Sequence, residues 1–287
     1  FSFVWCSDNN YYKNHMIKQA IIPLAGLGTR MLPLTAVTPK ELLPINGKPN
    51  IEYILDECIE AGVKEFIFII SKDKESIKKY FFSDKFYKKI IKKKKDKRII
   101  AVFKKIKKYQ KMIKFVYQNS PKGTGDAVLK CQKMIKGNFF MMLLPDDLII
   151  NKNCSKEMIK LHRKTKSSII ATKTVNKKDV SRWGILSPIK KKKNYFEINN
   201  VVEKPKTNAA PSNYAVIGRY ILSSKIFTEI KRLRPGQGGE IHITDAIKNL
   251  ILKKEKFYAN IFCGKYLDCG TLKGYINSGF KISGENK

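Results

Sequence analysis

Apolar residues along this chain fall in short blocks separated by polar stretches, and the blocks alternate between two spacings. Gln19 to Leu24 is a largely apolar run of strand length, whereas Ile51, Ile54, Leu55, Cys58 and Ile59 return at helical spacing over Asn50 to Ala61. The pattern then repeats. Glu65 to Ser71 predicts a strand, Ser76 to Phe82 a helix and Phe115 to Gln118 a strand. Gly125 to Ile135 predicts the next helix, Asn138 to Leu144 a buried strand and Cys154 to Lys164 another helix. Strands that are apolar throughout must be covered on both faces. Their alternation with helices therefore predicts an α/β fold, a Rossmann-like, mostly parallel mixed sheet flanked by helices.

From about Ser167 the strands shorten and polar stretches intervene. Ser168 to Val175, Gly184 to Pro188, Ile198 to Val202 and Tyr214 to Leu222 still predict strands, and Thr244 to Leu252 and Leu272 to Ile282 predict helices. One domain over 16–287 is expected, with a first part over 16–165, a smaller subregion over 166–270 and a C-terminal helix over 271–287. In open sheets of this kind ligands bind beyond the carboxyl ends of strands, so the loops after Leu24, Gln118 and Leu144 should converge on one crevice.

Six cysteines, at 6, 58, 131, 154, 263 and 269, form no C-x-x-C pair and have no histidine cluster beside them. This argues against a structural zinc site and for a reducing cytoplasm. No apolar run approaches the roughly 20 residues that span a bilayer, so no membrane association is expected. Phe1 to Cys6 lacks a basic lead and makes a poor signal peptide. Residues 1–15 are expected to be a disordered extension ahead of Met16.

The formal charge of +34 brings a nucleic-acid partner into consideration. The excess is mostly lysine, with dense runs at Lys88 to Lys111 and Lys190 to Lys193, and aromatic and glycine interleaving of the kind that stacks bases is absent from them. A solvated lysine-rich surface is the expectation and no specific nucleic acid is assigned; a polyanion footprint is the alternative.

The loop Gly26-Leu27-Gly28-Thr29-Arg30 follows a strand, and its glycines let backbone N–H groups approach a phosphate. It lacks the third glycine of a dinucleotide fingerprint and the Gly-Lys-Ser/Thr of a Walker loop, and taken alone it is equally a tight turn. Thr38-Pro39-Lys40-Glu41-Leu42-Leu43-Pro44 follows it. Asp146 and Asp268, each at the end of an apolar strand, are candidate magnesium ligands, or else turn and cap formers. Lys40 and Lys204 each stand beside proline in apolar context, where a solvated lysine gains nothing.

In order and spacing these segments resemble the sugar nucleotidylyltransferases, and in detail the bacterial UTP:glucose-1-phosphate uridylyltransferases. The likeness continues through Gln118 with Gly123-Thr124-Gly125, Leu144-Pro145-Asp146-Asp147, Trp183-Gly184, Val202-Glu203-Lys204-Pro205-Lys206, Ala210-Pro211-Ser212-Asn213, Ile217-Gly218-Arg219-Tyr220, Glu240-Ile241, Thr244-Asp245-Ala246-Ile247 and Asp268-Cys269-Gly270. The resemblance implies an enzyme that joins UTP and glucose 1-phosphate into UDP-glucose and pyrophosphate with Mg2+, working as a homodimer or homotetramer. The 16–165 part would bind nucleotide and 166–270 the sugar.

By the same resemblance Ala25, Gly26, Gly28 and Thr29 serve the nucleotide, Arg30 and Lys40 approach the triphosphate, and Gln118 and Gly123 hold the pyrimidine. Lys204 contacts the sugar phosphate, Glu203 accepts from sugar hydroxyls, Gly184 and Gly218 give the ring backbone access, and Asp146 and Asp268 bind the metal. An amide at 118 can satisfy both an N–H and a carbonyl of uracil. Uridylyl members commonly carry Gly-Leu-Gly-His-Ala where this chain has Gly123-Thr124-Gly125-Asp126-Ala127. A dTTP-using thymidylyltransferase is the near alternative, although the insertion around Ser83 to Met112 fits the uridylyl branch better. A basic nucleic-acid-binding protein is the distant one.

Overall fold

A computed structural model describes residues 17–284. The extension expected over 1–15, Met16, Cys6 and residues 285–287 lie outside the described residues. Thirteen strands follow in chain order: β1 (Gln19–Pro23), β2 (Pro44–Ile45), β3 (Lys48–Pro49), β4 (Glu65–Ile70), β5 (Ile113–Tyr117), β6 (Phe139–Leu143), β7 (Asp147–Ile150), β8 (Ser168–Thr174), β9 (Gly184–Ile189), β10 (Tyr195–Glu203), β11 (Tyr214–Ser223), β12 (Phe257–Ile261) and β13 (Lys265–Asp268). The α-helices among the described residues are α1 (Asn50–Glu60), α2 (Glu75–Phe81), α3 (Asp84–Lys94), α4 (Lys97–Gln110), α5 (Thr124–Lys130), α6 (Cys154–Thr165), α7 (Ile226–Arg232), α8 (Ile243–Leu252) and α9 (Leu272–Gly284).

Nine strands form one sheet in the order β5-β4-β1-β6-β11-β8-β12-β10-β9. β5, β4, β1 and β6 are mutually parallel, as are β8 and β12; β11 and β10 run against their neighbours. The apolar strands are apolar because both faces are covered. Along β4, Phe66, Phe68 and Ile70 join one core cluster and Ile67 and Ile69 the other, all fully buried. Each such side chain contributes about 1.5–3 kcal/mol by leaving water.

α1 shows how closely the chain writes its own boundaries. Ile51, Ile54, Leu55 and Cys58 are buried along one face. The helix stops at Gly62, whose φ of +100° suits glycine and whose N–H reaches Ile59 O at 3.0 Å.

The lysine run at 88–111 folds as the hairpin α3–α4 and keeps nearly all its lysines exposed, as a solvated surface requires. Lys95 ends α3 in the left-handed region, and the Asp96 carboxylate accepts the Arg98 N–H at 2.7 Å to cap α4. Tyr87 and Phe103 stack against each other across the hairpin with centroids 5.2 Å apart. No helix among the described residues is long and apolar enough to cross a membrane. Cys58, Cys131, Cys154, Cys263 and Cys269 are all free thiols.

Candidate functional site

The three loops expected to converge do so. A cavity of about 250 Å³ opens at the carboxyl ends of β1, β5 and β6 and is lined by Ala25, Gly26, Lys40, Gln118, Gly123 and Asp146, together with Glu41, Thr124, Leu144, Pro145 and Glu240. At Gly26 a Cβ would meet nothing within 4 Å, so this stretch of backbone faces open space. Gly28 and Thr29 do not line the cavity; they make the turn. Gly28 has φ +71°, and its carbonyl accepts from Thr35 Oγ1 at 2.8 Å and from the Met31 N–H at 2.9 Å. Thr29 opens the short 3-10 helix that carries Arg30 back toward the cavity mouth.

Lys40 reaches in from a 3-10 turn, and its Nζ donates to Asp146 Oδ2 at 2.6 Å. Burial disfavours both charges. Their mutual attraction outweighs that cost, holding the Asp146 carboxyl below its ordinary range and the Lys40 ammonium above its own. Arg30, largely exposed, adds a guanidinium 3.7 Å from the same carboxylate oxygen. Beneath Lys40, Glu41 is 1% exposed and pairs with Lys74 at 2.9 Å, fixing the turn from below.

Asp268 arrives from the far end of the chain. β13 pairs antiparallel with β7, setting Asp268 opposite Asp147, and the Cys269 N–H donates to Asp146 O at 2.7 Å. These contacts bring Asp146, Asp268 and Arg30 together at Gly270. A Cβ there would lie 2.7 Å from Asp146 Oδ2, 3.3 Å from Asp268 Oδ1 and 3.0 Å from Arg30 Nη2. Two carboxylates and a guanidinium thus pack so closely about this position that a side chain would collide with them, which accounts for the glycine.

Asp146 and Asp268 could hold a divalent cation of the magnesium kind, for which one or two carboxylates suffice when phosphates complete the shell. Among the described residues no cluster of three or more His, Cys, Asp or Glu side chains is arranged to hold a metal. Asp147 has a different part. Burial and the adjacent Asp146 push its carboxyl up to about 6 against the hydrogen bonds it accepts from Tyr266 Oη at 2.6 Å and the Gly218 N–H at 2.8 Å.

A second group forms on β9, β10 and β11. Gly184 is buried beside Glu203, whose Oε2 accepts from Thr244 Oγ1 at 2.9 Å. Lys204 follows in the left-handed region at φ +42°, its N–H bonded to Trp183 O at 3.0 Å and its half-exposed ammonium 3.8 Å from Glu203 Oε1. Arg182 joins the two groups by pairing with Asp268 at 3.0 Å. Gly218 belongs to the first group: it lies in a register shift of β11 against β8, and a Cβ would strike Leu144 and Asp147 at 2.5 Å. Close packing under the loop at 144–147 accounts for that glycine.

The pyrimidine pair is arranged differently from the expectation of an amide offering both ends. Gln118 Nε2 donates to Asp126 Oδ2 at 2.7 Å and lies 3.4 Å from Gly123 O, so its nitrogen is engaged within the protein. Gly123 is required by φ +94° and by Ile241, whose carbonyl oxygen and nitrogen a Cβ would approach within 2.6 and 2.8 Å. Sequence reading also gave no part to Arg219. It is wholly buried, bonds Glu57 through Nη2 at 2.9 Å, and donates to Leu144 O at 3.2 Å and Gly218 O at 3.0 Å. A charged residue inside an apolar strand was the available signal.

A Nucleotidyl transferase family model matches residues 19–283. The chain belongs to this family. It is 36% identical over 275 residues to the UTP–glucose-1-phosphate uridylyltransferase of Bacillus subtilis, covering 94% of this chain and 92% of that one. It is 37% identical over 265 residues to UTP–glucose-1-phosphate uridylyltransferase 2 of Staphylococcus saprophyticus, at 91% and 90% coverage. Among solved structures it superposes on a UDP-glucose pyrophosphorylase complexed with UDP-glucose with a TM-score of 0.84 and 34% identity, over 94% of this chain and all of that one.

Proposed function

We propose that this chain is a UTP:glucose-1-phosphate uridylyltransferase, releasing pyrophosphate and forming UDP-glucose. The observation that carries the reading is the approach of Asp146, Asp268 and Arg30 to Gly270, with Lys40 bonded to Asp146, beside a cavity that Lys40 and Asp146 line together with Gln118 and Gly123. The named activity of the Bacillus and Staphylococcus relatives, which align over nearly the whole chain, supports the choice of substrates.

The attacking sugar phosphate is largely a dianion near neutral pH, its second pKa being about 6, so no general base is needed. The demand on the protein is to gather several anions and screen them. Lys40 and Arg30 take the triphosphate side with the backbone of Ala25 and Gly26. Lys204 takes the sugar phosphate while Glu203 and the backbone at Gly184 meet the hydroxyls. Gln118 and Gly123 seat the base. Asp146 and Asp268 would hold magnesium, which supplies positive charge to the phosphoryl oxygens. The reading includes a reducing cytoplasmic location, consistent with the free cysteines, and a homo-oligomer.

The test is pyrophosphate release by the purified chain with UTP and a panel of sugar 1-phosphates. Turnover should be highest with glucose 1-phosphate and vanish with chelator. A strong preference for dTTP over UTP at equal concentration would overturn the assignment.

A further inference from the structure

Asp126 sits in the first turn of α5, behind the cavity wall rather than in it. Its Oδ2 accepts from Gln118 Nε2 at 2.7 Å, and Gly123 O lies 3.4 Å from the same nitrogen. Gln118 itself lines the cavity while only 5% exposed. A primary amide has two N–H donors on one end and a carbonyl acceptor on the other, and a half-turn about its last bond exchanges them. An ionised carboxylate can only accept. The nitrogen end of Gln118 must therefore face Asp126, and with both its donors directed at protein oxygens the polar atom left for a ligand is the carbonyl Oε1.

We propose that Asp126 is a positioning residue for base selection: by fixing the sense of the Gln118 amide it makes the cavity accept a pyrimidine with an N–H at ring position 3, as in uracil, and reject one with a lone pair there, as in cytosine. This rests on the assignment of Gln118 to the base under the proposed function. Turning the amide to suit cytosine would bring Oε1 against the Asp126 carboxylate, two acceptors facing each other in a poorly hydrated wall. The favourable placement of an acid in a helix's first turn accounts for Asp126 being tolerated there. It does not account for a bond to a buried amide of the cavity wall.

The experiment measures kcat/KM for UTP and for CTP, each with glucose 1-phosphate, in the unmodified enzyme and in Asp126→Asn, Asp126→Ala and Asp126→Glu. Asparagine can present either an oxygen or an N–H to Gln118, so the UTP-to-CTP ratio should fall by about tenfold or more in Asp126→Asn and Asp126→Ala, the loss of one charge-assisted preference. Asp126→Glu should retain most of it. The ratio is internal to each preparation and so unaffected by the fraction folded; where turnover is too slow, the ratio of UTP to CTP dissociation constants gives the same readout. Equal losses with both nucleotides, leaving the ratio unchanged, would overturn the proposal. An unmodified enzyme that does not turn over UTP would instead overturn the assigned reaction.

Discussion

Lys40 Nζ and Asp146 Oδ2 lie 2.6 Å apart, so the carboxylate best placed to bind a cation is already bound to one of the chain's own. A metal ion held by Asp146 would have to share that carboxylate with Lys40. Lys40→Met should then have two opposed effects. Turnover should fall by about two to three decades, the usual cost of removing one preorganised donor to a phosphoryl group, while the magnesium concentration at half-maximal rate should decrease. A magnesium titration of pyrophosphate release checks both, and an unchanged half-saturation would mean that the lysine and the metal do not compete.

The carboxylates themselves should behave in the opposite sense. Asp146→Asn and Asp268→Asn are each expected to raise the magnesium requirement, since an amide keeps the shape but not the charge. Asp268 also pairs with Arg182, so Arg182→Ala serves as the control that disturbs this ion pair without removing a metal donor. Unchanged metal curves in both aspartate variants would reject the pair as ligands.

Lys204 stands on the second group with its side chain half exposed, so removing it should leave the fold intact. Lys204→Ala should lose roughly two to three decades of turnover with an unaltered circular dichroism spectrum. Retained activity would take this lysine out of the reaction.

The Glu41–Lys74 pair is nearly sealed from solvent. Lys74→Met should destabilise the protein by about 3–5 kcal/mol because it strands a buried carboxylate, and Glu41→Leu combined with Lys74→Met should recover most of the loss. Urea denaturation of the single and double variants measures it.

Acid should weaken the α1–α4 contact. Burial disfavours the Asp56 carboxylate, but hydrogen bonds from Lys48 and Tyr109 prevail and hold it below its ordinary value of 3.8. A depressed acid contributes stability that is complete above the unfolded pKa and is lost as pH falls through the folded one. Asp56→Asn should therefore flatten the decline of the denaturation midpoint below about pH 4, with an effect at neutral pH under about 1 kcal/mol because the group is partly exposed.

Elements with local signals were legible from sequence alone. Periodicity located α1 and α6 to within a residue or two. The α3–α4 hairpin was hidden because lysines crowd its apolar positions, and β7 and β13 because each is short and pairs only with a partner more than a hundred residues away. Strand ends pointed to Gln118 and Asp146, and the apolar context beside Pro39 pointed to Lys40. The direction in which the Gln118 amide faces could not be read, since it is decided across a gap in sequence by Asp126.

The two-stranded ribbon of β7 and β13 has a consequence for how the protein comes into being. Asp146 emerges from the ribosome early, but its companion Asp268 is set opposite Asp147 only when Lys265–Asp268 has been made and has zipped onto Asp147–Ile150. Until that pairing forms, nothing in the first half of the chain sets Asp268 beside Asp146.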